Sequence, residues 1–115
     1  MFYSPNVDDD GHDPVLRPGK GLKKASSWLN KFLKESFPLD EKMKGTHVIV
    51  TFDESGYFEK TERIYTVFLG DMVKPGQITK TYTHYSVLRT IEDNFGLLPL
   101  NSGDGHAEPI TEVWK

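Results

Sequence analysis

The sequence predicts an α/β fold with a mainly parallel sheet flanked by helices, and three observations predict it. A helical apolar period over residues 21–37 gives way to two nearly continuous β-branched runs, 47–52 and 64–69. A second helical period follows over 83–95. Runs that are apolar at almost every position, rather than at alternate ones, are expected of strands covered on both faces. Two helices are few to cover such strands, and sheets of this kind normally contain more than two. The sequence therefore reads as part of a larger fold.

Taken in order, residues 1–20 contain three prolines, two glycines and four aspartates. They read as an irregular acidic segment with one short extended stretch at Phe2-Tyr3. Over 21–37, Leu22, Ala25, Leu29, Phe32, Leu33 and Ser36 keep the i, i+3, i+4, i+7 spacing, and Trp28 widens that face. Lys23, Lys24, Asn30, Lys31 and Lys34 cover the other side as a solvated face. Pro38 is the expected stop, because the residue before a proline disfavours helical geometry. Residues 41–45 form a polar connection to the first strand. After the second strand, Gly70, Pro75 and Gly76 punctuate a loop. The helix at 84–94 has Val87, Leu88, Ile91 and Phe95 as its stripe, Thr83 as N-cap, and Gly96 where a left-handed cap belongs. Residues 97–115, rich in Gly, Pro, Asn and Asp, are expected to be irregular. Asp-Gly-His occurs twice, at 10–12 and 104–106, without any larger repeat.

At 115 residues the chain has room for one domain. Hydrophobic residues at 37% and charged residues at 27% are those of a globular protein and too apolar for a disordered one. A net charge of −3 argues against a general binder of nucleic acid or anionic membrane, which needs a basic excess. No apolar run approaches the roughly 20 residues of a bilayer span, and no signal peptide opens the chain. With no cysteine there are no disulfides, thiolate zinc sites or cysteine nucleophiles. Any metal must be held by oxygen and imidazole. Nucleophile-elbow, P-loop and dinucleotide fingerprints are absent.

Three clusters remain that can carry chemistry, and they fall in loops or at helix starts beside strand ends, where open α/β sheets gather their ligands. The first is Asn6-Val7-Asp8-Asp9-Asp10-Gly11-His12-Asp13. Its four carboxylates repel one another unless solvent or a cation offsets their charge. Asp8 and His12 can converge on one ion if the chain turns at Gly11; a solvated acidic turn is the alternative. An EF-hand is excluded, because Asn6-x-Asp8-x-Asp10-Gly11 leads to Arg17 at position twelve instead of the bidentate Glu. The second cluster is Asp53-Glu54, directly after the first strand. Adjacent carboxylates there are unfavourable unless one is neutral or a metal is present, although Asp-Glu-Ser-Gly is also good turn chemistry. The third is His84 in Thr-His-Tyr-Ser, in the first turn of a helix, where the dipole favours a neutral, metal-competent ring. A locally hydrogen-bonded histidine is the other reading. His47 and His106 carry no spacing that requires a site.

Together these stretches resemble the phosphoesterase family that includes fungal-type acid phosphatases and bacterial phospholipases C. The resemblance rests on Phe-Tyr-Ser-Pro-Asn-Val-Asp-Asp-Asp-Gly-His-Asp at 2–13, Trp-Leu-Asn-Lys-Phe-Leu at 28–33, Val-Ile-Val-Thr-Phe-Asp-Glu at 48–54, Arg-Ile-Tyr-Thr-Val-Phe-Leu-Gly at 63–70, and the segment 82–97. It is closest to the acid-phosphatase branch. The resemblance implies an alkaline-phosphatase-like three-layer α/β sandwich that cleaves phosphate esters by metal-assisted in-line transfer, with a small phosphomonoester as substrate. It further implies a divalent ion (zinc, magnesium or calcium), with Asp8, His12 and His84 as one ligand group and Asp53 and Glu54 as the other. Asp10 is an alternative to Asp8, and Asn6 is a weaker candidate.

Members of this superfamily have a first acidic ligand and a Ser or Thr nucleophile well upstream of the Asp-Gly-His segment, and no residue here takes the nucleophile's place. The expectation is therefore a carboxyl-terminal portion of one phosphoesterase domain, able to pair with a missing amino-terminal half. Relatives are often secreted. The segment after Glu54 lacks a histidine found in some phospholipase relatives, which weakens phospholipid as substrate. A non-catalytic metal-binding or interaction fragment is the alternative.

Overall fold

The computed structural model describes residues 1–12, 20–37, 44–56 and 60–115. Its elements are helix α1 (Lys20–Ser36), strands β1 (Val48–Thr51) and β2 (Thr66–Leu69), helix α2 (His84–Phe95) and a 3-10 turn η1 (Gly103–His106). They fall into two units, Met1–Asp71 and Met72–Lys115. Asp13, the proline-rich stretch up to 19, the helix stop at Pro38 and the polar residues 41–43 lie outside the described residues.

In the first unit the apolar period of α1 is realised as read. Ala25 is buried, Trp28, Leu29, Phe32 and Leu33 are half-buried, and Leu22 at the helix start is exposed. Trp28 and Phe32, one turn apart, stack at 5.0 Å between ring centroids. Tyr3 joins them, 5.7 Å from Trp28 and 4.7 Å from Phe32, and Phe37 meets Phe32 edge-on at 6.3 Å. Pairs of this kind contribute about 0.5–1.5 kcal/mol each beyond the area they bury. No strand forms at Phe2-Tyr3; Tyr3 is anchored by its ring on α1 instead of by backbone pairing.

β1 and β2 pair antiparallel, in the register Val48↔Leu69, Ile49↔Phe68, Val50↔Val67, Thr51↔Thr66. The mainly parallel sheet expected from the sequence is not what the two strands make. The reason lies in their connection. A parallel return needs a crossover, usually helical, whereas Asp53, Ser55 and Gly56 are turn formers, and 52–65 has no apolar period of 3.6. Thr51 Oγ1 and Thr66 Oγ1 lie 2.7 Å apart across the ladder, and the Phe52 N–H donates to the Tyr65 carbonyl at 3.3 Å, continuing the pairing by one step. The strand residues are half-buried apart from the exposed Thr51.

In the second unit, α2 begins at Thr83, whose N–H donates to Ser86 Oγ at 3.3 Å. It ends at Gly96, left-handed at φ 62°, whose N–H bonds back to the Asp93 carbonyl. Both boundaries are where the sequence places them. The buried face is different. Ile91 and Phe95 are exposed, and Ser86, Thr90 and Glu92 are buried. The tail explains this. Residues 97–115 contain little regular structure to satisfy their own backbone, so side chains do it: the Ile110 N–H donates to Thr90 Oγ1 at 2.8 Å. Thr90 Oγ1 in turn donates to the Ser86 carbonyl at 2.6 Å. Asp104, fully buried, accepts the N–H of Leu100 at 2.6 Å and of Ser102 at 2.9 Å. A bridge between Val73 and Trp114 closes the end of the chain onto its start within this unit.

Candidate functional site

The acidic segment is a sequence of tight turns built by its own side chains. Asn6 Oδ1 accepts the Asp8 N–H at 2.9 Å, the Asn6 carbonyl accepts the Asp9 N–H at 2.9 Å, and Asp10 Oδ1 accepts the His12 N–H at 2.8 Å. These are Asx turns, in which a short carboxyl or amide side chain mimics a backbone acceptor two residues on.

Gly11 then seats the segment. Its φ is +89°, and a Cβ built on it would lie 2.9 Å from Phe52 Cε1 and 3.5 Å from Ala25 Cβ. The glycine thus wedges between the ring of Phe52, the residue after β1, and the buried Ala25 of α1. Asp53 and Glu54 follow Phe52 directly in the chain, so the residue whose ring meets Gly11 is also the one that precedes the acidic pair. Gly21, in the first turn of α1, closes the other side: its absent Cβ would stand 3.0 Å from the His12 carbonyl oxygen.

Charge in the turn is offset by the protein itself. Lys24 Nζ, from α1, stands 3.8 Å from Asp8 Oδ1 and 3.7 Å from Asp9 Oδ1. The lysine face of α1 is therefore not only solvated. Asp8, His12, Asp53 and Glu54 are exposed, and Asp10 is half-buried. His84 occupies the first position of α2 in the second unit and is exposed. Within either unit, among the described residues, no group of three or more His, Asp and Glu side chains is arranged to hold a metal ion. The donor chemistry of the first unit, carboxylate and imidazole exposed beside a strand end, suits a hard or borderline divalent ion. Asp8 and Asp10, however, already hold Lys24 and the His12 N–H.

The second unit contains a group that the sequence reading passed over. Glu92 on α2 and Asp104 on η1 are both buried, and their carboxyls meet in a hydrogen bond. Burial pushes the Glu92 carboxyl above the ordinary glutamate value, and the adjacent Asp104 charge pushes it further; Arg89 and the Leu100 backbone N–H pull the other way. Burial also works to raise Asp104, but the N–H groups of Leu100, Asp104 and Ser102, with Glu92, outweigh it and hold Asp104 below the ordinary aspartate value. The signal was in the sequence: the second Asp-Gly-His is preceded by Asn-Ser-Gly, a run in which a carboxylate is expected to collect backbone donors. A cleft of about 180 Å³ on this unit, lined by Thr90, Asp93, Asn94, Ile110, Thr111 and Trp114 among others, contains none of the residues singled out from the sequence.

Comparison with known proteins agrees with the motifs. The model of the phosphoesterase family matches residues 1–98. The chain is 35% identical over 113 residues to a phosphatidylinositol-3-phosphatase of Mycobacterium tuberculosis, covering 98% of this chain and 35% of that protein. It is 37% identical over 109 residues to an acid phosphatase of Aspergillus niger, covering 90% and 24%. With a probable acid phosphatase of Kluyveromyces lactis it shares 32% over 117 residues, covering 97% and 26%. The chain thus spans about a quarter to a third of the length of these curated relatives. No solved structure matches it significantly. With the family pattern running through the acidic turn, the Asp53-Glu54 strand end and the His84 helix, the chain belongs to the phosphoesterase family.

Proposed function

We propose that the chain serves in the hydrolysis of phosphate monoesters of the acid-phosphatase type, and that its part is to hold a divalent metal ion and place charge around the phosphoryl group. The family match through both the acidic turn and the Asp53-Glu54 strand end carries this reading. The names of the relatives point the same way, since each is a phosphatase. When bound, such an ion supplies positive charge to the phosphoryl oxygens and lowers the cost of an anionic nucleophile.

The ligands assigned by motif are His12 with Asp8 or Asp10, His84, and the pair Asp53 and Glu54, with Asn6 as a lesser donor. Gly11 fixes the height of His12 against the end of β1. Asp10 fixes its backbone direction through the His12 N–H. Asp53 and Glu54 contribute two negative charges on consecutive residues, whose mutual repulsion a cation relieves. No residue is assigned the nucleophile's role.

The test has two readouts. Calorimetric titration of the chain with zinc, magnesium and calcium is expected to show saturable binding by at least one ion, weakened about tenfold or more in His12→Ala and Asp53→Ala. Absence of binding by all three overturns the metal assignment. In a full-length protein that also contains the nucleophile, release of p-nitrophenol from p-nitrophenyl phosphate is expected to require that ion and to be lost in both variants. Turnover unchanged by either substitution overturns the catalytic assignment.

A further inference from the structure

Glu92 and Asp104 are given no role above. Glu92 is 3% exposed and Asp104 not at all. η1 packs on α2, and the two carboxyls meet there. Glu92 Oε2 is buried and makes no hydrogen bond. Asp104, by contrast, has its oxygens occupied by the N–H groups of Leu100 and Ser102.

The asymmetry decides where a proton goes. A carboxylate that collects backbone N–H groups is stabilised as the anion. A buried carboxylate with an orphan oxygen and an anion as neighbour is not. A proton shared by the pair is therefore favoured on Glu92, which can then donate it to Asp104. From η1 the charge facing Glu92 is Asp104; from α2 it is Arg89, which is itself held by Asp93 at 2.8 Å.

We propose that Glu92 and Asp104 form a single-proton latch that fastens the 97–106 segment to α2 while Glu92 is protonated and releases it as rising pH removes that proton. The proposal goes beyond the phosphatase reading and does not depend on it. Its direction follows from linkage. Between the ordinary glutamate value near 4.5 and Glu92's raised one, the folded state holds a proton that the unfolded state has released. The stabilisation is complete below that interval, falls through it, and is gone above Glu92's own value. On the acid side the bound is Asp104. Its contribution is present above the ordinary aspartate value near 3.8 and is lost as pH falls through its own lowered value. The latch thus has a working window in pH that is closed by a different carboxyl at each end.

Hydrogen exchange of the Leu100 and Ser102 amides in the full chain tests it. Corrected for intrinsic rate, their protection is expected to fall by up to about tenfold per pH unit inside the window, because one proton is released. Glu92→Gln, which cannot ionise, is expected to show no fall, and His106→Asn to keep the wild-type one. Wild-type protection independent of pH overturns the proposal, as does an unchanged fall in Glu92→Gln or its loss in His106→Asn. Should Glu92→Gln not fold, the carbon-13 carboxyl titration of wild-type Glu92 decides. A midpoint above the ordinary glutamate range supports the latch, and an ordinary one overturns it.

Discussion

Replacing Gly11 with alanine tests the geometry that places the acidic turn against β1. At φ +89° any L-residue is strained; the left-handed region costs roughly 1–2 kcal/mol for a residue with a Cβ. The new Cβ also meets Phe52 Cε1 at 2.9 Å, closer than real carbon contacts allow. Overpacking of this kind costs about 1–3 kcal/mol. The two terms together give about 2–5 kcal/mol, a large part of the roughly 5–15 kcal/mol that keeps a domain folded.

Gly45 separates the terms. It has φ +69° and nothing within 4 Å of an added Cβ, so Gly45→Ala is expected to lose only the strain, about 1–2 kcal/mol. The assay is urea unfolding followed by far-ultraviolet circular dichroism and tryptophan fluorescence. Phe52→Leu in the Gly11→Ala background is expected to recover part of the steric term, with a coupling of about 0.5–3 kcal/mol in the double-mutant cycle. If Gly11→Ala loses no more than Gly45→Ala, or if Phe52→Leu shows no coupling to it, the wedge is not what seats the turn.

Thr90→Val is expected to destabilise the chain by about 1–3 kcal/mol in urea, because it leaves the buried Ile110 N–H without an acceptor. Thr90→Ser should restore most of that. Phe32→Ala removes the ring that Tyr3, Trp28 and Phe37 all touch. Phe32 is only half-buried, so the expected loss is about 1–3 kcal/mol, below that of a core phenylalanine. Lys24→Met is expected to change stability by no more than about 1 kcal/mol, since both of its ion pairs are surface pairs. The same change should tighten divalent binding severalfold by calorimetry, because it frees Asp8 and Asp9.

Local signals were the legible part of the fold. The spacing of Ala25, Trp28, Leu29, Phe32 and Leu33 sufficed for α1. Thr83 and Gly96 sufficed for both ends of α2, because caps are decided by residues within one turn of each other. Sheet direction was not legible in this way. A near-continuous run such as Val48-Ile49-Val50 reports how apolar the surroundings of a strand are, and partner and direction depend on where the connection leads. The buried face of α2 failed for a related reason. Periodicity counts apolar residues, while Ser86, Thr90 and Glu92 are buried polar residues, and the tail they face has no period at all: Thr90 satisfies the Ile110 N–H, and Asp104 satisfies those of Leu100 and Ser102.

For the acidic turn, the sequence left the choice between Asp8 and Asp10 open, and side-chain use now distinguishes the two. Asp10 spends one oxygen on the His12 N–H, an interaction that sets the turn itself, so recruiting Asp10 to an ion competes with the geometry that presents His12. Among the described residues Asp8 accepts no backbone N–H; its side chain, 79% exposed, faces the Lys24 ammonium at 3.8 Å. An exposed pair at that distance is worth at most about 1 kcal/mol, well below what a divalent cation offers a carboxylate. Of the two proposed ligands, Asp8 is therefore the one whose present partner can be exchanged at small cost. The same reasoning separates the residues by expected phenotype. Asp8→Asn should weaken divalent binding and leave unfolding by urea nearly unchanged. Asp10→Ala should lower both, because it removes the acceptor on which the turn depends. Equal effects of the two changes on both measurements would reverse this assignment.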